Sequence, residues 1–303
     1  MRWAVLPEVA AILLALAVSA CDQGLPHAWS IERTRVLGAK VEVIGDEARA
    51  WPLPGETARV TWLVVDPAEP APLGWAFIVC VPSLAGCEGA PVSIAMGASR
   101  PPSLDVLVPA GPSEPSVLRV LGAICARGTP RLDAETQSVE CDGDGAERTL
   151  ATMSIPIARP GDPTNASPSL SDDEITLDAM PWPEAIAIDT GCSPDSPRIA
   201  AGSGKHTLVV RFVGDRERYV ETTSGAEQWE TLQMSHYATA GSLDRQYTVI
   251  EPDNPDEAPE GTVEWEAPAA PPGADMAVRF HLVLRDLRGG TDWATREVCV
   301  PSG

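Results

Sequence analysis

The sequence predicts an all-β protein, two β-sandwiches in tandem behind an export segment, and three observations carry that reading. Short apolar stretches with a two-residue repeat recur through both halves, separated by Pro/Gly/Ser segments. Thirty prolines stand against three phenylalanines and three tyrosines; proline fixes φ and removes a ladder donor, so turns are frequent and strands short. Six cysteines, Cys80, Cys87, Cys125, Cys141, Cys192 and Cys299, are spread over the two halves in an even number, as suits disulfides in an oxidising compartment.

The chain begins with the export segment, residues 1–20. Arg2 gives a positive tip and Val9 to Val18 an uninterrupted ten-residue apolar core, within the ~7–15 of a secretory signal and short of the ~20 that span a bilayer. The residues Val18-Ser19-Ala20-Cys21 resemble the bacterial lipobox. The resemblance implies cleavage before Cys21, a thioether-linked diacylglycerol on its sulfur and acylation of the new amine. Burial of acyl CH₂ groups at about 0.8 kcal/mol each makes two or three such chains a lasting anchor. The competing reading is an ordinary signal peptide with a cysteine nearby. Asp22 resembles an inner-membrane retention signal of enteric bacteria, a rule that does not transfer between bacterial groups. The target membrane stays open, with the outer one slightly favoured.

About 280 residues follow, enough for two domains. The formal net charge of −21 repels nucleic acid and anionic membrane surfaces, so nucleic acid is not an expected partner, and the membrane is one through the lipid on Cys21, beside an unknown envelope protein or glycan. Six cysteines allow 15 pairings. We favour Cys80–Cys87, Cys125–Cys141 and Cys192–Cys299, which keep two bridges in the first half and one in the second. A metal site competes, but no C-x-x-C or His-rich spacing supports it.

Residues 21–33 lack periodicity and read as a tether. The first sandwich, 34–158, takes strands at Arg35–Ile44, Ala58–Val65, Leu73–Val81, Leu104–Val108, Val117–Cys125 and Ala151–Ile157. In the second of these Val60, Trp62 and Val64 point inward. Residues 159–169 (RPGDPTNASPS) have three prolines, one glycine and no apolar pattern, and form the linker. The second sandwich, 170–303, takes strands at Ile175–Leu177, His206–Phe212, Gly261–Glu266, Met276–Arg285 and Thr291–Val300. Glu230–Ala238 is ambiguous between helix and strand, and its alternation favours strand. Val278, Phe280, Leu282 and Leu284 share the core face of Met276–Arg285, with Arg279, His281 and Arg285 on the other. Asp286 to Gly290 turns the chain, because glycine accepts the positive φ of a tight hairpin.

Pro54–Pro67, Ser235–Leu243, Val263–Pro268 and Leu284–Val300 together resemble uncharacterised myxobacterial-type lipoproteins with tandem immunoglobulin-like sandwiches. The final hairpin is similar to those of cadherin-like and PKD-like bacterial modules. The resemblance covers about half of the mature chain and implies architecture; it brings no catalytic residues.

Catalytic signatures are scarce. There is no His-Glu-x-x-His and no Gly-x-Ser-x-Gly. Gly202-Ser203-Gly204-Lys205-His206 faintly resembles a phosphate loop but lacks its first glycine and its Ser/Thr, and reads as a polar turn. His206, His236 and His281 lie on expected strands of one half, where solvent-facing or hydrogen-bonded histidines are the simpler reading. Calcium is the more natural ion: Asp142 and Asp144, and Asp253 and Asp256, offer hard oxygens in expected loops, although neither run fits an EF-hand and solvated acidic loops are the simpler reading. Trp62, Trp75, Trp265 and Trp293 read as core. Trp29, Trp51, Trp182 and Trp229 sit in turn-like context, and any exposed one would point to a glycan- or protein-binding face.

The leading expectation is a lipid-anchored, non-enzymatic envelope protein acting as a structural or interaction module, without a resident cofactor. The alternative is a ligand-capturing lipoprotein, for glycan or peptide, serving a transporter or enzyme complex; a hydrolase is a remote third.

Overall fold

The computed structural model describes residues 27–67, 73–84, 86–111, 114–133, 136–161, 163–185, 191–212, 216–220, 225–254 and 259–303. The export segment 1–20, Cys21 and Asp256 lie outside the described residues. Among the described residues the chain is strands and turns, with one 3₁₀ turn at Asp172–Glu174 and no helix long and apolar enough to cross a membrane.

Seven strands build the first half: β1 (Arg35–Val43), β2 (Thr57–Val65), β3 (Gly74–Ser83), β4 (Gly86–Ala98), β5 (Ser103–Leu107), β6 (Val117–Asp133) and β7 (Ser138–Pro156). They form two antiparallel sheets, β1-β2-β5 and β4-β3-β6-β7. The alternation in β2 buries Val60, Trp62 and Val64, and Trp62 stacks on Phe77 of β3 with ring centroids 4.0 Å apart. Gly122 in β6 lies against this stack; a Cβ there would collide with the Ala76 carbonyl and the Phe77 ring. The core also takes in Leu104, Val106, Leu118, Val120, Ile124 and Ile155.

The second half holds β8 (Ile175–Leu177), β9 (Met180–Pro181), β10 (Lys205–Arg211), β11 (Arg218–Val220), β12 (Glu227–Trp229), β13 (Leu232–Ala238), β14 (Ser242–Leu243), β15 (Tyr247–Ile250), β16 (Glu260–Glu266), β17 (Met276–Arg285) and β18 (Thr291–Val300). One sheet runs β14-β16-β10-β8-β9, the other β15-β13-β17-β18, and β11 and β12 form a separate ribbon. Trp182, Trp265 and Phe280 meet edge-to-face in the core between the two sheets.

The β13-β17-β18 sheet is buried on both faces. Val278, Phe280, Leu282 and Leu284 face the core as their spacing predicts. On the reverse face Tyr237 and Val283 pack with Ile31, Leu37 and Val65, and Leu63 and Trp293 close around them. Leu37 reaches this cluster from a bulge in β1 between Val36 and Gly38, and its carbonyl accepts a hydrogen bond from Arg285. Of the two expectations for His281, solvent-facing or hydrogen-bonded, the second holds: it is buried, with Nδ1 3.1 Å from the Thr295 hydroxyl. Opposite alternation reads as solvent-facing only when nothing packs there, and here the first half does.

Residues 27–33 do not behave as a tether. Ile31 N–H donates to the Ala238 carbonyl and Ala238 N–H to Trp29, so the segment runs beside β13, and Trp29 sinks into the core of the second half. Trp182, expected in a turn, is wholly buried as well, its indole N–H donating to the Glu297 carbonyl at 2.9 Å.

Candidate functional sites

The turn after β17 holds the first cluster. Asp286, 1% exposed, accepts the backbone N–H groups of Arg288, Gly289 and Gly290 on Oδ1, at 2.7 to 2.9 Å. Its Oδ2 accepts the side-chain amide of Asn165 at 2.5 Å. Gly290 is required, since a Cβ would meet that carboxylate and Pro168. One acidic side chain thus closes the hairpin and fixes residues 165–168 against it. Trp51 donates its indole N–H to the Arg288 carbonyl at 2.9 Å, and the Arg288 guanidinium lies between the rings of Trp51 and Tyr219. Arg288 also pairs with Glu217 at 3.0 Å, while Glu217 accepts the Ala166 N–H.

Beside this cluster lies a cleft of about 190 Å³, lined by Ser167, Phe212, Arg216, Glu230, Leu232 and Leu284 among others. Phe212, Leu232 and Leu284 form an apolar floor. Glu230 is 4% exposed and Arg216 9%. Arg216 spends its two terminal nitrogens on the carbonyls of Asn254, Glu230 and Glu251, leaving Nε without a partner. Glu230 accepts the Glu217 N–H on Oε1, and its Oε2 has no partner; nor does the Ser167 hydroxyl. Burial pushes the Glu230 carboxyl up to about 7: the Glu217 N–H and Arg288 act against the rise, while the nearby Asp286 and Glu217 charges add to it.

A third arrangement lies on the far sheet. Asp178 Oδ2 accepts from His206 Nδ1 at 2.7 Å, and His206 Nε2 meets Ser203 Oγ at 2.7 Å. Asp178 Oδ1 takes the Thr207 N–H. Burial works against ionisation of Asp178, but the bonds from His206 and Thr207 outweigh it and hold the carboxyl below its ordinary range. The carboxylate fixes the proton on Nδ1, so neutral His206 presents Nε2 as acceptor to the Ser203 O–H. This is the hydrogen-bond order of a nucleophile, base and orienting acid. Ser203 is exposed on the turn before β10, and neither it nor His206 lines the cleft described above. The arrangement also has a local structural role, pinning the turn before β10 to the residue after β8.

The other expected positions are placed as follows. Three disulfides join Cys80 to Cys87, Cys125 to Cys141 and Cys192 to Cys299. Cys192, Asp275 and Cys299 come close enough to hold an ion, but the two sulfurs are bonded to each other and are not ligands. Asp142 and Asp144 lie on β7 rather than in a loop, and Asp142 is paired with Arg131 at 2.9 Å. Asp253 is exposed in a turn. The histidines do not converge: His206 belongs to β10, His236 sits beside Leu282 in register and His281 beside Tyr237, one residue on and so on the reverse face. Of the turn tryptophans, Trp51 and Trp229 stay half-buried, and guanidinium groups cover their rings, Arg288 over Trp51 and Arg218 over Trp229 at 4.3 Å. Glu230, Arg216 and Asp178 are lone polar residues beside turns, and no spacing in the sequence sets them apart.

No protein-family model matches the chain, and no curated protein matches it in sequence. Among solved structures, red sea bream transglutaminase aligns at a TM-score of 0.26 and 10% identity, over 90% of this chain and 32% of the other. Escherichia coli alpha-2-macroglobulin activated by porcine elastase aligns at 0.24 and 10%, over 92% and 23%. The chain spans less than a third of either, and likeness at this level carries no argument about activity.

Proposed function

We propose that the chain is a lipid-anchored, non-enzymatic protein of the bacterial envelope, two tandem immunoglobulin-like sandwiches displayed as one rigid interaction module. The observation that carries the reading is the β13-β17-β18 sheet packed on both faces, which joins the two halves through an apolar cluster and the Asn165–Asp286 bond. The seven strands of the first half, in sheets of three and four, suit the immunoglobulin-like count. Three disulfides suit an oxidising compartment. Cys21 carries the lipid, and no metal or organic cofactor is required. Radiolabelled palmitate enters the wild type and not Cys21→Ala; equal labelling removes the anchor. Spin labels on β4 and β16 give one narrow distance distribution, and a broad one removes the rigid module.

A second reading is ligand capture for a transporter or enzyme complex. The cleft at the junction favours it, since three residues that line it, Ser167, Arg216 and Glu230, each carry a buried polar atom without a partner, beside the apolar Phe212, Leu232 and Leu284.

A further inference from the structure

Three polar atoms in the junction cleft are buried without partners: Glu230 Oε2, Arg216 Nε and Ser167 Oγ. Leaving a buried donor or acceptor unmade is costly, and three such groups on residues that line one cleft call for a partner from outside the chain. Two of the three belong to side chains more than nine-tenths buried and held in place by other bonds, Arg216 by three carbonyls and Glu230 by the Glu217 N–H. The site is therefore built before anything enters it.

The donor set selects the ligand. Arg216 has two N–H groups left, one on Nε and one on Nη1, but both forked edges of a guanidinium run through Nη2, whose two hydrogens are taken by the Glu230 and Glu251 carbonyls, so it cannot make the two-pronged grip that carboxylates and phosphates demand. A carboxyl beside a guanidinium presents no large net charge, which disfavours a simple cation as much as an anion. Hydroxyls fit all three groups, since each both donates and accepts. The floor of Phe212, Leu232 and Leu284 suits the C–H face of a saturated ring. The space, about 190 Å³, compares with an engineered cavity of about 150 Å³ that takes one benzene ring, and so has room for one ring with its hydroxyls.

We propose that the cleft between the linker and the second sandwich binds a single neutral pyranose unit, with Glu230, Arg216 and Ser167 on its hydroxyls and Phe212 under its ring. The proposal rests on the ligand-capturing reading and names its ligand class.

The test is saturation-transfer NMR on the full-length chain, in a detergent without a sugar headgroup, with glucose, galactose and N-acetylglucosamine as probes and the dipeptide Ala-Ala as a separate arm. Transfer to the ring protons of at least one sugar is expected, and Ser167→Ala and Glu230→Gln each weaken that sugar about tenfold, the loss of one hydrogen bond, with melting temperatures showing both variants folded. Absence of transfer from all three sugars overturns the proposal, as does transfer that survives both substitutions. If Ala-Ala alone binds and is weakened by Ser167→Ala, the sugar assignment falls while ligand capture stands; if no probe binds, both fall.

Discussion

Asn165 donates its side-chain amide to the carboxylate of Asp286, 121 positions away, and both residues are buried. The other oxygen of that carboxylate closes the β17–β18 turn through three backbone N–H groups. The linker and the final hairpin therefore share one acceptor, and the two halves meet where it sits.

Asp286→Ala strips partners from four donors at once and is expected to cost about 3–5 kcal/mol, the range for breaking a buried hydrogen-bonded charge. Asp286→Asn keeps one carbonyl oxygen for the turn but clashes in polarity with Asn165, for about 1–2 kcal/mol. Urea unfolding measures both. A cost for the alanine variant within about 0.5 kcal/mol, as for an ordinary surface site, contradicts the role assigned to this carboxylate.

Glu230 makes stability fall as pH rises. Its folded pKa, about 7, lies above the ordinary 4.5, so the protonated form favours folding. That contribution is complete below about pH 4.5 and is lost as pH rises through 7. Relative to Glu230→Gln, the wild type is expected to lose about 3 kcal/mol across this window. Chemical unfolding of both proteins at several pH values reads the difference; parallel curves refute it.

Two histidines act in the opposite sense. Burial pushes His236 down to about 4 and His281 to about 3, the latter helped by the Arg279 and Arg100 charges. Each resists protonation in the fold but not in the unfolded chain. Their contribution is whole above the ordinary 6.5 and drains away as pH falls toward those values. His236→Leu should flatten the acid limb between pH 6.5 and 4 by up to about 3 kcal/mol, and an unchanged slope would exclude His236 as its source.

The Cys192–Cys299 bridge spans 107 positions and ties the loop before β10 to the last strand. Replacing both cysteines with serine is expected to cost about 2–5 kcal/mol, while Cys80 and Cys87, only 7 positions apart, close a far shorter loop and matter less. Thermal melts of the two double variants under non-reducing conditions rank them.

Ser203, His206 and Asp178 offer a direct check on the non-enzymatic reading. A fluorophosphonate probe is expected to leave Ser203 unlabelled, because the serine stands exposed and lines neither wall nor floor of the cleft. Stoichiometric labelling lost in His206→Ala would make it a working nucleophile.

The strands with strong alternation were legible. Thr57–Val65, Met276–Arg285 and Thr291–Val300 fall within a residue of the spans expected from their apolar spacing. The even cysteine count, split between halves, was enough to read three bridges. What escaped was set by tertiary packing. Strands β6 and β7 extend well beyond their apolar parts as a mostly polar ribbon held by Cys125–Cys141, where Leu132 and Val139 pack against Ala76 and Ala123 but are too few to show a repeat. Strand β4 carries Gly, Pro and exposed Ile94 and Met96, a pattern that resembles loop. The reverse face of β17 alternates like a wet surface because Arg279, His281 and Arg285 interrupt it, yet Val283 lies between them and is buried. The cleft depends on Ser167, Arg216 and Glu230 meeting from three separate stretches, and no local spacing announces that.

The pairing of residues 29–31 with β13 and the burial of Trp29 in the core of the second half mean that the earliest described residues complete a body whose last strand ends at Val300. Folding is thus circular in time. A chain delivered from its amino end must hold Trp29 in reserve until nearly everything after it has emerged, and the second half cut out as residues 170–303 would carry an open socket where that indole belongs. Trp29 docks beside Ala238, roughly 200 positions further along the chain, and contacts of such separation are slow to form.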